Sequence, residues 1–165
     1  MKDALIVSAL SLVPKNHTAR AIGRGARVRL PRAAHRLLLR WFVWQYGVNL
    51  SESVGEIDDF ESLAHFFVRP LKEGMRPVDP SPGILVSPVD GKAHTFGPIV
   101  DGMFEQAPGK LCPVSALVGE ESASHFEGGS YAVIYLAPPD YHRVHSPLQS
   151  SITALDYKPG QLWPV

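Results

Sequence analysis

The stretch DYHRVHSP, residues 140–147, sets His142 and His145 on either side of Arg143, between an acidic residue and a proline. It follows directly on the apolar run YAVIYLAPP. Imidazole exchanges a proton near neutral pH and is the commonest metal ligand, so the pair is open to three readings. As metal ligands, His-x-x-His with a distant Asp or His would make a two-histidine, one-carboxylate site, which needs at least a third ligand. As acid–base groups, one histidine oriented by a carboxylate would activate a serine hydroxyl, and Asp90 in Val89-Asp90-Gly91 is an available carboxylate. As neither, they are two partly exposed loop histidines, and Asp90 before Gly91 is a turn residue.

The elements that must position these groups follow from pattern. SYAVIYLAP (130–138) is the longest β-branched and aromatic run in the chain and predicts a central strand buried on both faces. Pro138-Pro139 end it, and Asp140 is placed to cap a short helical turn running through Tyr141 to His145. On such a turn His142 and His145 share a face, whereas in an extended segment they would point oppositely. GILVSP (83–88) and GKAHTFGPI (91–99) flank Asp90-Gly91, a hairpin signal. SESVGEIDDFESLAHFFVRPL (51–71) has Ser and Asp cap candidates, early acids and apolar residues at Phe60, Leu63, Ala64 and Phe67, the spacing of a helix that Pro70 ends. SSITALDYKPGQLWPV (150–165) predicts a further strand, a Lys-Pro-Gly turn and the start of another strand.

At 165 residues and 45% hydrophobic, the chain is long enough for one globular core. Its single cysteine, Cys112, excludes an internal disulfide and a cysteine-rich zinc site, and is read as a packed residue. Most of the fifteen prolines and fourteen glycines lie beyond residue 68, which favours short strands and turns there. Net charge is zero, yet residues 1–50 hold nine Lys/Arg against the single acid Asp3. A basic segment of this kind meets an anionic surface, nucleic acid or membrane. The apolar runs ALIVSALSLV (4–13) and RLLLRWFVWQY (36–46) decide for membrane and against nucleic acid, because Trp41 and Trp44 beside Arg36 and Arg40 suit the headgroup boundary. Neither run approaches the ~20 residues that a spanning helix needs. The competing reading makes 36–46 a core-facing helix. A secretory signal is disfavoured, because Asp3 offsets Lys2 and cleavage after ARA (19–21) would leave a strongly basic terminus.

Three stretches in this order and at these separations, FFVRPLKEGMRPVD (66–79), SPVDG (87–91) and YLAPPDYHRVHSP (135–147), resemble phosphatidylserine decarboxylase of the bacterial, membrane-associated type. The basic, apolar N-terminus also resembles that family's membrane-binding helices. The resemblance implies a self-cleaving proenzyme in which a serine of a Leu-Gly-Ser-Thr motif becomes a pyruvoyl group, the covalent cofactor for converting phosphatidylserine to phosphatidylethanolamine and carbon dioxide. Matched by position, it implies that Asp90 and His145 activate the self-cleaving serine and that His142 serves decarboxylation. It assigns Asp140 and Arg143 only turn-capping and charge roles.

No Leu-Gly-Ser-Thr occurs in the 165 residues, and EGGSY (127–131) precedes the histidine motif and opens a strand. The expectation is therefore a truncated enzyme, a fragment or half of a split one, inactive until a C-terminal chain supplies the serine. The alternative is a non-catalytic membrane-surface module. The expected architecture is α+β: basic amphipathic helices over 1–50, then a mostly antiparallel β core over 51–165 that is incomplete at its C-terminal end. The expected partners are an anionic phospholipid membrane, at its cytoplasmic face and peripherally, and phosphatidylserine. No metal is expected, and a homo-oligomer is left open.

Overall fold

The computed structural model describes residues 15–157, so the apolar run at 4–13 and the Lys-Pro-Gly turn lie outside the described residues. The architecture is α+β, with helices and two small antiparallel sheets. Contacts divide the chain into two compact units, one ending at Arg69 and the other beginning at Pro70.

The first unit is helical: α1 (Lys15–Ala26), α2 (Arg32–Tyr46) and a short α3 (Leu63–Phe67). In α2 the buried residues are His35, Leu39 and Phe42, spaced four and three apart on one face, and Gly47 closes the helix in the left-handed conformation. That face joins Val48, Phe60 and Phe66 in a core, with Phe60 and Phe66 edge to face at 5.2 Å. Leu37, Trp41 and Trp44 have the same four-and-three spacing on the other side and are exposed, Leu37 by 72% and Trp44 by 77%. The core-facing reading of 36–46 holds for one face of the helix, and the other face is exposed.

The single helix expected after residue 51 is instead broken into 3-10 turns at Leu50–Glu52 and Ile57–Asp59 and the five-residue α3. A capping box explains the break: the Asp59 carboxylate accepts the Glu56 backbone N–H at 2.7 Å, turning backbone groups away from a continuous helical ladder. Arg36 reaches across to Asp58, Nε to Oδ1 at 2.8 Å, and Arg29 pairs with Glu61. The bond from Arg36 holds the Asp58 carboxyl below the usual carboxylate range.

In the second unit β1 (Lys92–Pro98) pairs antiparallel with β4 (Ser130–Tyr135), from Lys92 opposite Tyr135 to Pro98 opposite Ser130. A hairpin of β2 (Met103–Ala107) and β3 (Lys110–Pro113) forms the other sheet, and the short helices α4 (Ser115–Val118) and α5 (Glu120–Ala123) follow. Ile99, Phe104 and Val114 form its core, with Tyr131, Val133 and Cys112 packed against them.

Two strand expectations are corrected. Residues 83–88 do not form a hairpin with β1; β1 takes β4 as its partner, and the backbone of 86–88 bonds elsewhere. Nor is 130–138 a central strand buried on both faces, since among the described residues β4 pairs only with β1 and none of its side chains is buried. Residues 150–157 form no strand, and Ile152, Leu155 and Tyr157 are exposed.

Candidate active site

Two backbone hydrogen bonds bring the Asp90 loop to the histidine motif. The His145 N–H donates to the Pro88 carbonyl at 2.8 Å, and the Val86 N–H donates to the Pro147 carbonyl at 3.1 Å. Gly91 permits the approach: a β-carbon there would meet the Tyr135 carbonyl oxygen at 2.5 Å and the Ile134 side chain at 2.9 Å. The loop thereby runs tight against the end of β4.

Between the two segments lies a cavity of about 390 Å³, with Arg76, Ser87, Asp90, Tyr141 and His145 on its walls. The structure therefore brings Asp90 and His145 to one pocket, and His142 is not among its lining residues. Each of the two wall groups already has a partner. Arg76 embraces the Asp90 carboxylate, Nε at 2.7 and 2.9 Å from its two oxygens and Nη2 at 2.6 Å from Oδ2. His145 Nε2 lies 3.0 Å from the Tyr141 hydroxyl, and the two rings stack at 5.5 Å. No hydrogen bond joins Asp90 to His145.

The helical turn expected from Asp140 is absent. The Asp140 carboxylate points back to accept the Ala137 N–H at 2.7 Å, while its own N–H donates to the Ala137 carbonyl at 2.9 Å. These two bonds close a turn over Pro138-Pro139, and 141–146 continue without helix. The Asp140 carboxylate serves the turn before it and not a helix after it, because it accepts the Ala137 N–H in the manner of an Asx side chain closing a local turn. His142 and His145 consequently do not share a helical face. His142 Nδ1 sits 3.0 Å from the Asp140 carbonyl, which accepts, so that nitrogen carries the proton. Among the described residues no three His, Cys, Asp or Glu side chains are grouped to hold a metal ion.

The model of the family described as phosphatidylserine decarboxylase matches residues 63–165, more than half of the chain and all of the pocket. The chain belongs to that family. A phosphatidylserine decarboxylase proenzyme of Anaeromyxobacter sp. (strain K) is 44% identical over 166 positions, covering 100% of this chain and 58% of its own length. The proteins of the same name from Myxococcus xanthus (strain DK1622) and Shewanella amazonensis are each 37% identical, with 59% and 58% of their lengths covered. The chain thus spans about three-fifths of the curated relatives it matches.

Arg76 and Tyr141, the side chains bonded to Asp90 and His145, are pocket residues to which reading by pattern gave no role. Both stood inside the quoted motifs, Arg76 in FFVRPLKEGMRPVD and Tyr141 beside His142. The signal that pairs Arg76 with Asp90 is spatial, fourteen residues apart along the chain, and has no periodicity to reveal it.

Proposed function

We propose that this chain is the N-terminal portion of a phosphatidylserine decarboxylase proenzyme that cuts itself and then converts phosphatidylserine to phosphatidylethanolamine and carbon dioxide. The observation that carries this reading is the sharing of one pocket by Asp90 and His145, with the His145 backbone bonded to Pro88. The serine for self-cleavage belongs to a segment in the remaining length of the relatives. His145 takes the serine hydroxyl proton as that oxygen attacks the preceding carbonyl and returns it to the amine as the peptide C–N bond breaks to leave an ester, with Asp90 steadying the imidazolium in between; the ester then eliminates, and water replaces the resulting enamine nitrogen as ammonia to leave the ketone. For this the Tyr141 hydroxyl yields its place at His145 Nε2 to the serine, and Asp90 exchanges part of its Arg76 contact for His145. The paired groups seen here are the resting arrangement of that machinery.

The pocket fits a small ketone-bearing terminus: it has room, and its walls carry an arginine and a hydroxyl suited to an acyl oxygen or a substrate carboxylate. A pyruvoyl ketone held there supplies the electron sink for loss of carbon dioxide. His142 manages the proton returned to the substrate carbon, taking one up from solvent before giving it to the carbon that carbon dioxide has left. The test joins the chain at Val165 to the portion of the Anaeromyxobacter relative beyond its matched residues. The fused protein should separate into two polypeptides and release carbon dioxide from phosphatidylserine, and an uncut, inactive fusion that folds normally would refute the reading.

The helical unit supports peripheral attachment to the cytoplasmic face of the cell membrane. No helix among the described residues is long and apolar enough to cross a bilayer, while Leu37, Trp41 and Trp44 form an exposed apolar stripe beside Arg40. Anionic lipids attract such arginines by about 1 kcal/mol each near the surface. Sedimentation with anionic vesicles should fall as salt is raised. Replacing Trp41 and Trp44 with Ala should weaken it by about tenfold or more, from the apolar area withdrawn from water. Equal sedimentation with neutral vesicles, or an unchanged double variant, would count against membrane attachment through this face.

A further inference from the structure

Asp90 is the carboxylate that the proposed reaction enlists, yet it is not the group that holds the His145 ring. Where a histidine activates a hydroxyl, the carboxylate turns the imidazole and keeps its proton on the nitrogen remote from the nucleophile, which leaves the other nitrogen a free lone pair. Here the Asp90 oxygens are taken by Arg76, Nε at 2.7 and 2.9 Å and Nη2 at 2.6 Å. Arg76 Nη1 donates to the Met75 carbonyl at 2.8 Å, which fixes the guanidinium from its other side. The orienting group on His145 is a different one.

Tyr141, four residues back along the chain, is only 8% exposed and lines the same pocket. Its ring stacks on the imidazole, 5.5 Å between centroids and 28° between planes, and its hydroxyl lies 3.0 Å from Nε2. Burial holds the phenol, and the stack in turn restrains the plane of the imidazole. The direction of the hydrogen bond follows from the chemistry of the two groups. A phenol is more acidic than an alcohol and a poorer acceptor, because its oxygen shares a lone pair with the ring, whereas an unprotonated imidazole nitrogen is a strong acceptor. The hydroxyl therefore donates and Nε2 accepts. A neutral imidazole has one donor and one acceptor nitrogen, so its proton is then on Nδ1.

We propose that Tyr141 is a positioning residue that sets the tautomer of His145, keeping the proton on Nδ1 and the lone pair on Nε2; the inference rests on the reading of His145 as the base of self-cleavage. A serine hydroxyl arriving at Nε2 replaces one O–H donor with another, so no proton has to change nitrogens before the reaction begins. Nδ1 keeps its hydrogen for Asp90, which meets it on leaving part of its Arg76 contact. Tyr141 thus holds the ring in the form that the later contact with Asp90 requires.

The test begins with the 165-residue chain itself, labelled with nitrogen-15. It is held at about two pH units above the ordinary midpoint of an imidazole, so that the ring is neutral. Magnetic resonance through the ring hydrogens gives the shifts of both nitrogens of each histidine, and the His145 pair is identified by its loss in His145→Ala. In the parent chain Nδ1 should have the shift of a protonated nitrogen and Nε2 that of an unprotonated one. Tyr141→Phe keeps the ring and its stack and removes only the oxygen, so the two shifts should converge or exchange as the proton moves toward Nε2. A parent chain with its proton on Nε2, or shifts unchanged in Tyr141→Phe, would overturn the proposal. In the fused protein Tyr141→Phe should cut about three- to tenfold more slowly, the loss expected from one hydrogen bond. Cutting at the parental rate would remove Tyr141 from the role. An unmodified fusion that never cuts would count against His145 as the base, while the tautomer is read separately in the unfused chain.

Discussion

The fused protein carrying Asp90→Asn, and likewise the one carrying His145→Ala, should remain a single uncut polypeptide on a gel. The expected fall in the rate of self-cleavage is on the order of 10³–10⁴-fold, the loss met when a base-assisted hydroxyl nucleophile is deprived of its base or of the carboxylate that orients it. Both residues stand on the wall of the pocket, but each is bonded to another group, Asp90 to Arg76 and His145 to Tyr141. A carboxamide at position 90 can neither hold Arg76 as an ion pair nor stabilise an imidazolium. Removal of the imidazole leaves the serine proton without an acceptor. Thermal unfolding of each variant should stay near that of the parent, which separates lost chemistry from lost structure. Cleavage at the parental rate in either variant would remove that residue from the proposed role.

His142→Ala should act on the other step. Cleavage should proceed, and carbon dioxide release from phosphatidylserine should drop by about 10²–10⁴-fold, the contribution of a positioned acid–base group. The separation follows from the different placement of the two rings. His145 lines the pocket and its backbone is fixed to Pro88, whereas His142 is off that wall with Nδ1 on the Asp140 carbonyl. A gel reads cleavage and a gas-release assay reads turnover, so the two steps are scored independently. If His142→Ala blocked cleavage while His145→Ala cut normally, the two assignments would be reversed.

The parts of this fold legible in the sequence are those written in local pattern. The core stripe of α2 shows as His35, Leu39 and Phe42 at helical spacing, and the motif stretches of the site are contiguous runs that can be read directly. What escaped depends on contacts between distant segments. Asp90-Gly91 carries the signature of a hairpin, but Gly91 is needed for its approach to the Tyr135 carbonyl, and 86–88 bonds to 145–147. Asp140 has the type of a helix cap, yet the donor within its reach is the Ala137 N–H behind it. The Arg76 pairing to Asp90 has no sequence period at all. The break between residues 52 and 63 was in principle readable, because Glu56 and Asp59 stand at capping-box spacing.

The two hydrogen bonds that stitch 86–88 to 145–147 also order events in time. Closing a loop of about 60 residues costs roughly 3.6 kcal/mol beyond a constant, more than two ordinary hydrogen bonds of about 1 kcal/mol each return. In an otherwise unfolded chain the stitch therefore does not hold. Once Lys92 lies opposite Tyr135, only short segments on either side remain to be closed, and the same two bonds suffice. Docking of the β1–β4 ladder must come first, and the walls of the pocket meet only afterwards. A nascent or misfolded chain holds Asp90 and His145 far apart, so in the proposed reaction self-cleavage waits on the native strand pairing, a checkpoint written into contact order.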